Sequence, residues 1–146
     1  MSHEPIIIER TYDAPIQVVW KALTDAKALR EWFFDIPAFE ARVGFEFAFR
    51  GQGTEGEDYL HKCVVTEVDE PFKLSYSWRY EGYEGISLVT YELQANGNKT
   101  HIRLTHSGLE SFPASGAFAK ENFVQGWTAL IGSLLKDYAE KMNPIT

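Results

Sequence analysis

The chain has 146 residues, 45% of them hydrophobic and 24% charged, with a formal net charge of -7. That length suits a single domain around one core, expected over residues 1–146, and that balance of side chains excludes a disordered chain. The acidity excludes nucleic acid as a partner, because such binding relies on clustered Lys and Arg displacing counterions; the one cysteine excludes an intramolecular disulfide.

The opening MSHEPIIIER has no basic stretch leading into a long apolar one, and nowhere does the chain approach the ~18 apolar residues of a membrane span. A cytoplasmic protein without membrane insertion is expected. Ile6 to Tyr12, IIIERTY, is a β-branched run and reads as a strand. Pro15 then suits the start of a helix, where its missing N–H is harmless, and Ile16, Val19, Trp20 and Leu23 recur on one face. Thr24-Asp25 caps a second short helix whose buried side is Leu29 and Trp32, and Pro37 prevents further winding.

From about Phe39 to Ser107 the apolar period becomes two, with hairpin chemistry between segments. The expected turns are Gly51 to Glu57, Asp69-Glu70-Pro71, Glu81 to Gly85 and Asn96-Gly97-Asn98. Alternation assigns Phe45, Phe47 and Phe49 to the inner face, then Phe72, Leu74, Tyr76, Trp78 and Tyr80, then Val89, Tyr91 and Leu93, and last Ile102, Leu104 and His106. The wet face carries Glu46, Arg50, Lys73, Ser75, Ser77, Arg79, Glu92, Arg103 and Thr105. Between Pro113 and Met142 a long helix covers the sheet, with Phe123, Trp127, Leu130, Ile131, Leu134 and Tyr138 at helical spacing. Gly126 and Gly132 lie inside it at about 1 kcal/mol each relative to Ala, so a close approach of a neighbour is expected at both. Asn143-Pro144 ends it.

This order of elements, with IIIERTYDAPIQVVWKALTDAKALREWF, VVTEVDEPFKLSYSW, VTYELQANGNKTHIRLTHSGL and GWTALIGSLLKDY, resembles the START-like (SRPBCC) superfamily. Within it the chain is similar to the family of the activator of heat-shock-protein ATPase. Ala14, Pro15, Val19, Trp20, Thr24, Asp25 and Trp32 carry the first match; Glu67, Val68, Pro71, Leu74 and Trp78 the second; Val89, Thr90, Leu93, Thr100, His106, Gly108, Gly126 and Trp127 the last. The resemblance implies an α+β helix-grip fold, in which a curved antiparallel β-sheet with two short helices is crossed by the long C-terminal helix. Two positions depart from the family: Val43-Gly44 replaces a Gly-Gly pair, and Cys63 stands where Gly is common, both adding bulk near any cavity.

Ten Phe, seven Tyr and four Trp suit either a thick core or a lined cavity. The residues expected to line such a cavity are Phe47, Phe49, Tyr76, Trp78, Tyr91, His106, Phe123, Trp127 and Ile131. His106 is read first as structural and second as a general base. His61 and Cys63 share a strand face, but no further ligands with zinc spacing accompany them, so no metal and no cofactor is expected. Asp35, Glu40, Glu46 and Glu67 are read as a solvated face. The loops GQGTEGED and YEGYEG lack the Lys, the Ser or Thr and the following helix of a phosphate loop.

The resulting expectation is a protein that binds a small apolar or amphipathic molecule between the sheet and the closing helix, with no catalytic residue assigned. The resemblance implies two alternatives: a chaperone-associated interaction module, and a polyketide cyclase-like enzyme using His106 with Tyr76 or Tyr91.

Overall fold

The computed structural model describes residues 4–52, 58–113 and 118–143. Strand β1 (Ile6–Tyr12) is followed by helices α1 (Ile16–Thr24) and α2 (Ala26–Trp32), and then by strands β2 (Glu46–Gln52), β3 (Asp58–Asp69), β4 (Lys73–Tyr80), β5 (Ser87–Asn96) and β6 (Lys99–Ser107). The C-terminal helix comprises α3 (Lys120–Ala129), a π turn over Leu130–Leu134, and α4 (Leu135–Lys141). The strands form one antiparallel sheet in the order β1-β6-β5-β4-β3-β2. The fold is the α+β helix-grip fold, its curved sheet crossed by the C-terminal helix. Among the described residues, no helix is long and apolar enough to cross a membrane.

Local chemistry accounts for the short helices. Pro15 is extended at φ -64 and ψ 155, and its carbonyl accepts from the N–H groups of Val18 and Val19. Helix α1 buries Ile16, Val19, Trp20, Ala22 and Leu23. Asp25 caps α2 by accepting from the Ala28 N–H at 3.3 Å, whereas Thr24 bonds back to the Trp20 carbonyl at 2.8 Å. The Trp32 indole donates to the Ala22 carbonyl at 2.8 Å and ties the two helices together.

The meander contains five strands and begins at Glu46, later than Phe39; the sixth strand is β1, which pairs with β6 through Ile8 and Leu104. Gly44, at φ 92, turns the chain into β2. A bulge between Val65 and Glu67 leaves Thr66 and Glu67 both outward, and such an insertion bends the strand into the curvature a grip needs. The Asn96 to Lys99 hairpin has Gly97 at its first loop position with φ 62 and no positive φ at Asn98. This is the type II′ pattern, with Gly97-Asn98 rather than Asn96-Gly97 as the two loop residues. The expected turn at Gly51 to Glu57 falls largely outside the described residues, as do residues 114–117 of the expected long helix and Pro144.

Two inner- and outer-face expectations are corrected. Phe72 is 50% exposed, because it closes the β3–β4 turn through its N–H to the Asp69 carbonyl and precedes the strand. Ser75 is buried on the convex side, where its Oγ donates to Thr90 Oγ1 at 2.9 Å.

The closing helix buries Trp127, Ile131, Leu135 and Ala139, four residues apart. Leu134, expected to face inward, is 49% exposed. The reason is the π turn: the Leu135 N–H reaches back five residues to the Leu130 carbonyl, which delays the inward face by one position. The Tyr12 hydroxyl donates to the Ile131 carbonyl inside this wide turn. Gly132 lies beneath the Arg10 guanidinium, which a Cβ there would approach to 3.4 Å. Gly126 has nothing within 4 Å, so no close approach explains it.

Candidate functional site

Period-two alternation turns one row of aromatic side chains from β2, β3 and β4 toward the closing helix, and their rings form a continuous chain. It starts at Tyr83, 46% exposed beyond the end of β4, whose ring lies 5.5 Å from Tyr59 and 5.2 Å from Phe118. Both neighbours reach Tyr80, at 5.7 and 5.1 Å. Tyr80 meets His61 at 4.6 Å, and His61 stacks on Phe49 at 4.5 Å and stands edge-on to Trp78 at 5.0 Å. Phe33, from the segment after α2, touches Phe49, Trp78 and Trp127. Phe49 leads to Phe47, Phe47 stands edge-on to Tyr76 at 5.0 Å, and Tyr76 lies 5.7 Å from Tyr91.

Polar groups inside this shell have definite roles. The Trp127 indole can only donate, and it bonds His106 Nδ1 at 2.9 Å, so Nδ1 carries the lone pair. The proton of the neutral ring therefore sits on Nε2 and is donated to Ser87 Oγ at 2.7 Å, and Ser87 in turn donates to the Trp78 carbonyl at 3.2 Å. Burial pushes the His106 pKa down to about 3, which keeps the ring neutral. His61 Nδ1 donates to the Tyr59 carbonyl at 3.1 Å, and burial lowers its pKa to about 4. The Trp78 indole donates to the Tyr80 hydroxyl at 2.9 Å. Tyr76 and Tyr91 share a hydroxyl–hydroxyl bond of 2.6 Å, and burial raises both phenol pKa values. Burial likewise raises that of the Cys63 thiol, an inert group here.

Of the expected lining residues, Phe47, Phe49, Tyr76, Trp78, Tyr91, His106, Trp127 and Ile131 are buried in the core behind the sheet. Phe123 is half-buried, edge-on to His106 at 5.5 Å. Sequence reasoning did not include Phe33, Phe34, Tyr59, His61, Tyr80, Phe118 or Ser87 among them. Tyr80 and His61 carried the same alternation signal as their neighbours; Phe33 and Phe34 come from a segment with no period to read. His61 is enclosed by Phe34, Phe49, Trp78 and Tyr80, and among the described residues no His, Cys, Asp and Glu group is arranged to hold a metal. Asp35, Glu40, Glu46 and Glu67 are exposed; Glu40 pairs with Arg42 and Glu67 with Lys73. Of the two bulky departures, Val43 is 61% exposed and narrows nothing, whereas Cys63 is buried opposite Phe47 and Trp78 in the sheet register.

Two open grooves lie elsewhere. One, of about 720 Å³, runs between α1 and the β3–β4 turn over Trp20, Phe39 and Pro71. The other, of about 500 Å³, crosses the convex face beside Glu9, Phe72 and His101.

Residues 13–140 match the family described as Activator of Hsp90 ATPase homolog 1-like protein. Protein CV1439 of Chromobacterium violaceum is similar in fold, with a TM-score of 0.79 at 21% identity over 94% of this chain and 97% of that one. BH1534 of Bacillus halodurans gives 0.72 at 28% identity over 93% and 96%. CalU16 of Micromonospora echinospora gives 0.68 at 27% identity over 94% and 78%. No curated protein matches the sequence.

Proposed function

The chain belongs to the family of Activator of Hsp90 ATPase homolog 1-like proteins, in the START-like (SRPBCC) superfamily, and from that premise we propose that it binds a small apolar or amphipathic molecule between the concave sheet and the closing helix. The observation that carries this reading is the unbroken chain of rings from the exposed Tyr83 to the buried Tyr76–Tyr91 pair. Rings with centroids 4.5–6.4 Å apart pack on one another, so a guest enters by parting them and stacks on the faces it exposes, while the few neutral polar groups among them orient it. Phe47, Phe49, Tyr76, Trp78, Tyr91, His106, Phe123, Trp127 and Ile131 are the proposed contacts.

Native mass spectrometry of protein purified without detergent tests the reading. A retained small molecule, absent after denaturation, is the expected result. A bare protein that also fails to bind fluorene or dodecanol in titration would remove it.

A chaperone-associated role has separate support on the convex face, where Val64 and Leu88 flank Ser77 across the strand register, and Ile86, two residues before Leu88 in the chain, is also exposed. Apolar side chains grouped on a wet sheet face are what a protein partner would cover. Stimulation of the host chaperone's ATPase, abolished by Leu88→Glu, is the measurement that favours it. A cyclase-like reaction with His106 as base is disfavoured, since the lone pair of His106 already accepts the Trp127 proton.

A further inference from the structure

An apolar molecule stacked along the rings needs a polar contact to hold it in one register, and the hydroxyl pair at the inner end of the chain bears on this. Tyr76 and Tyr91 carry two O–H groups between them and share one hydrogen bond. That bond uses one proton, and no described residue accepts the other. Both side chains are buried on adjacent strands, with Phe47 edge-on to Tyr76 and Trp127 edge-on to Tyr91 at 6.2 Å. A buried O–H is nearly always bonded, because leaving it alone forfeits its hydration for nothing.

Among the described residues the neighbouring polar groups do not take this proton, the nearby Cys63 thiol included, a weak acceptor that forms no hydrogen bond with either phenol. The lone pair of His106 is held by Trp127, and Ser87 Oγ accepts from His106 while donating to the Trp78 carbonyl. Among the described residues no Asp, Glu, Lys or Arg is buried with the pair. A charged guest would therefore enter without a counter-charge, at a desolvation cost that a neutral one avoids. Burial keeps both phenols protonated, so the pair offers a proton at any ordinary pH.

We propose that Tyr76 and Tyr91 form the polar anchor of the site and donate their uncommitted proton to a neutral oxygen acceptor, such as a ketone carbonyl, at the leading end of a flat apolar ligand. The assignment rests on the apolar binding proposed above and names the class of ligand that binding selects.

The test uses 9-fluorenone and fluorene, which share a flat skeleton and differ by the carbonyl. Each is titrated into the wild-type protein and the Y76F/Y91F double variant, with tryptophan emission as the signal. The preference for the ketone relative to the hydrocarbon is expected to fall about fivefold in the variant, the worth of one ordinary hydrogen bond. The carbonyl stretch of bound fluorenone is expected at lower wavenumber in the wild type than in the variant. Removing both hydroxyls leaves neither partner orphaned, so the unliganded variant is expected to melt at or above the wild-type temperature. A large drop in melting temperature would mean that the proton already has an acceptor inside the protein, which overturns the proposal. An unchanged ketone preference with an unshifted carbonyl stretch also overturns it and leaves the apolar site standing. Failure of both compounds to bind the wild type overturns the anchor and the binding reading together.

Discussion

The His106 cluster and the Tyr76–Tyr91 pair are neighbours in one core, linked through the Trp127 ring, and both consist of neutral polar groups surrounded by aromatic ones. In the first, protons run one way from Trp127 to His106, to Ser87, to the Trp78 carbonyl, and each donor has an acceptor. In the second, two donors share one bond. The first network is closed and is suited to holding the helix on the sheet. Among the described residues the second is left with a proton to give, which is what a binding site requires and a purely structural core avoids. Burial is nearly the same for both, so what separates them is the count of donors and acceptors rather than depth.

The largest expected effect follows from opening the closed network. His106→Ala should destabilise the protein by roughly 4–5 kcal/mol in urea unfolding, since it leaves a cavity, strands the Trp127 N–H and takes from Ser87 Oγ the proton it accepts. A loss below about 1 kcal/mol would mean that water replaces the imidazole readily, and the network could not then be called closed.

Acid should open it without mutation. The pKa of His106 is pushed down to about 3 and that of His61 to about 4, both below the ordinary 6.5, so the unfolded state binds the extra protons first. The stability these rings contribute is present above pH 6.5 and is lost as pH falls toward their folded values. Between pH 7 and 5 that amounts to about 2 kcal/mol for each ring. The urea midpoint measured across this window should fall steeply, before the ordinary carboxylates titrate. A flat profile would show that both rings are already charged or well solvated, contrary to the tautomer assigned to His106.

Matched deletions on the two sides sharpen the contrast. Trp127→Phe removes one donor from the closed network and leaves the buried Nδ1 of His106 unpaired, an expected cost of about 2–3 kcal/mol including lost packing. Tyr91→Phe removes one hydroxyl from a pair that already had, among the described residues, a proton without an acceptor, and should cost only about 1 kcal/mol. Equal losses in thermal unfolding would erase the distinction between the networks.

How much of this arrangement was legible in the sequence varies by element. The faces of β2, β4, β5 and β6 followed from alternation, because a strand's side chains have only two directions to take. The inward register of the closing helix did not. LIGSLL has apolar residues at 130, 131, 134 and 135 and satisfies either an α or a π register. The choice is made by the Tyr12 hydroxyl on the Ile131 carbonyl and by Arg10 over Gly132, contacts more than a hundred residues away along the chain. Ser87 was missed for a similar reason. It starts β5 as an ordinary small polar residue, and only the pairing of β5 with β6 brings His106 within reach of it. The donor count that separates Tyr76 and Tyr91 from His106 belongs to tertiary structure, so alternation could mark all three as inward and say nothing about which was satisfied.

The smallest effect is expected where a polar pair is neither closed nor isolated. Ser75 Oγ donates to Thr90 Oγ1 on the convex face, with Ser75 buried and Thr90 half-buried. Water can reach Thr90 there, so Ser75→Ala exchanges a protein hydrogen bond for a solvent one and should cost about 0.5 kcal/mol or less in urea unfolding. A cost near that of Trp127→Phe would show that the convex face at Ser75 is sealed from solvent in the folded protein. That outcome would have to be explained by a covering partner, such as a second copy of the chain, and the loss would then depend on protein concentration. A small, concentration-independent cost would confine the energetically tight polar contacts to the concave side, where the closed and open networks compete for the same aromatic surroundings.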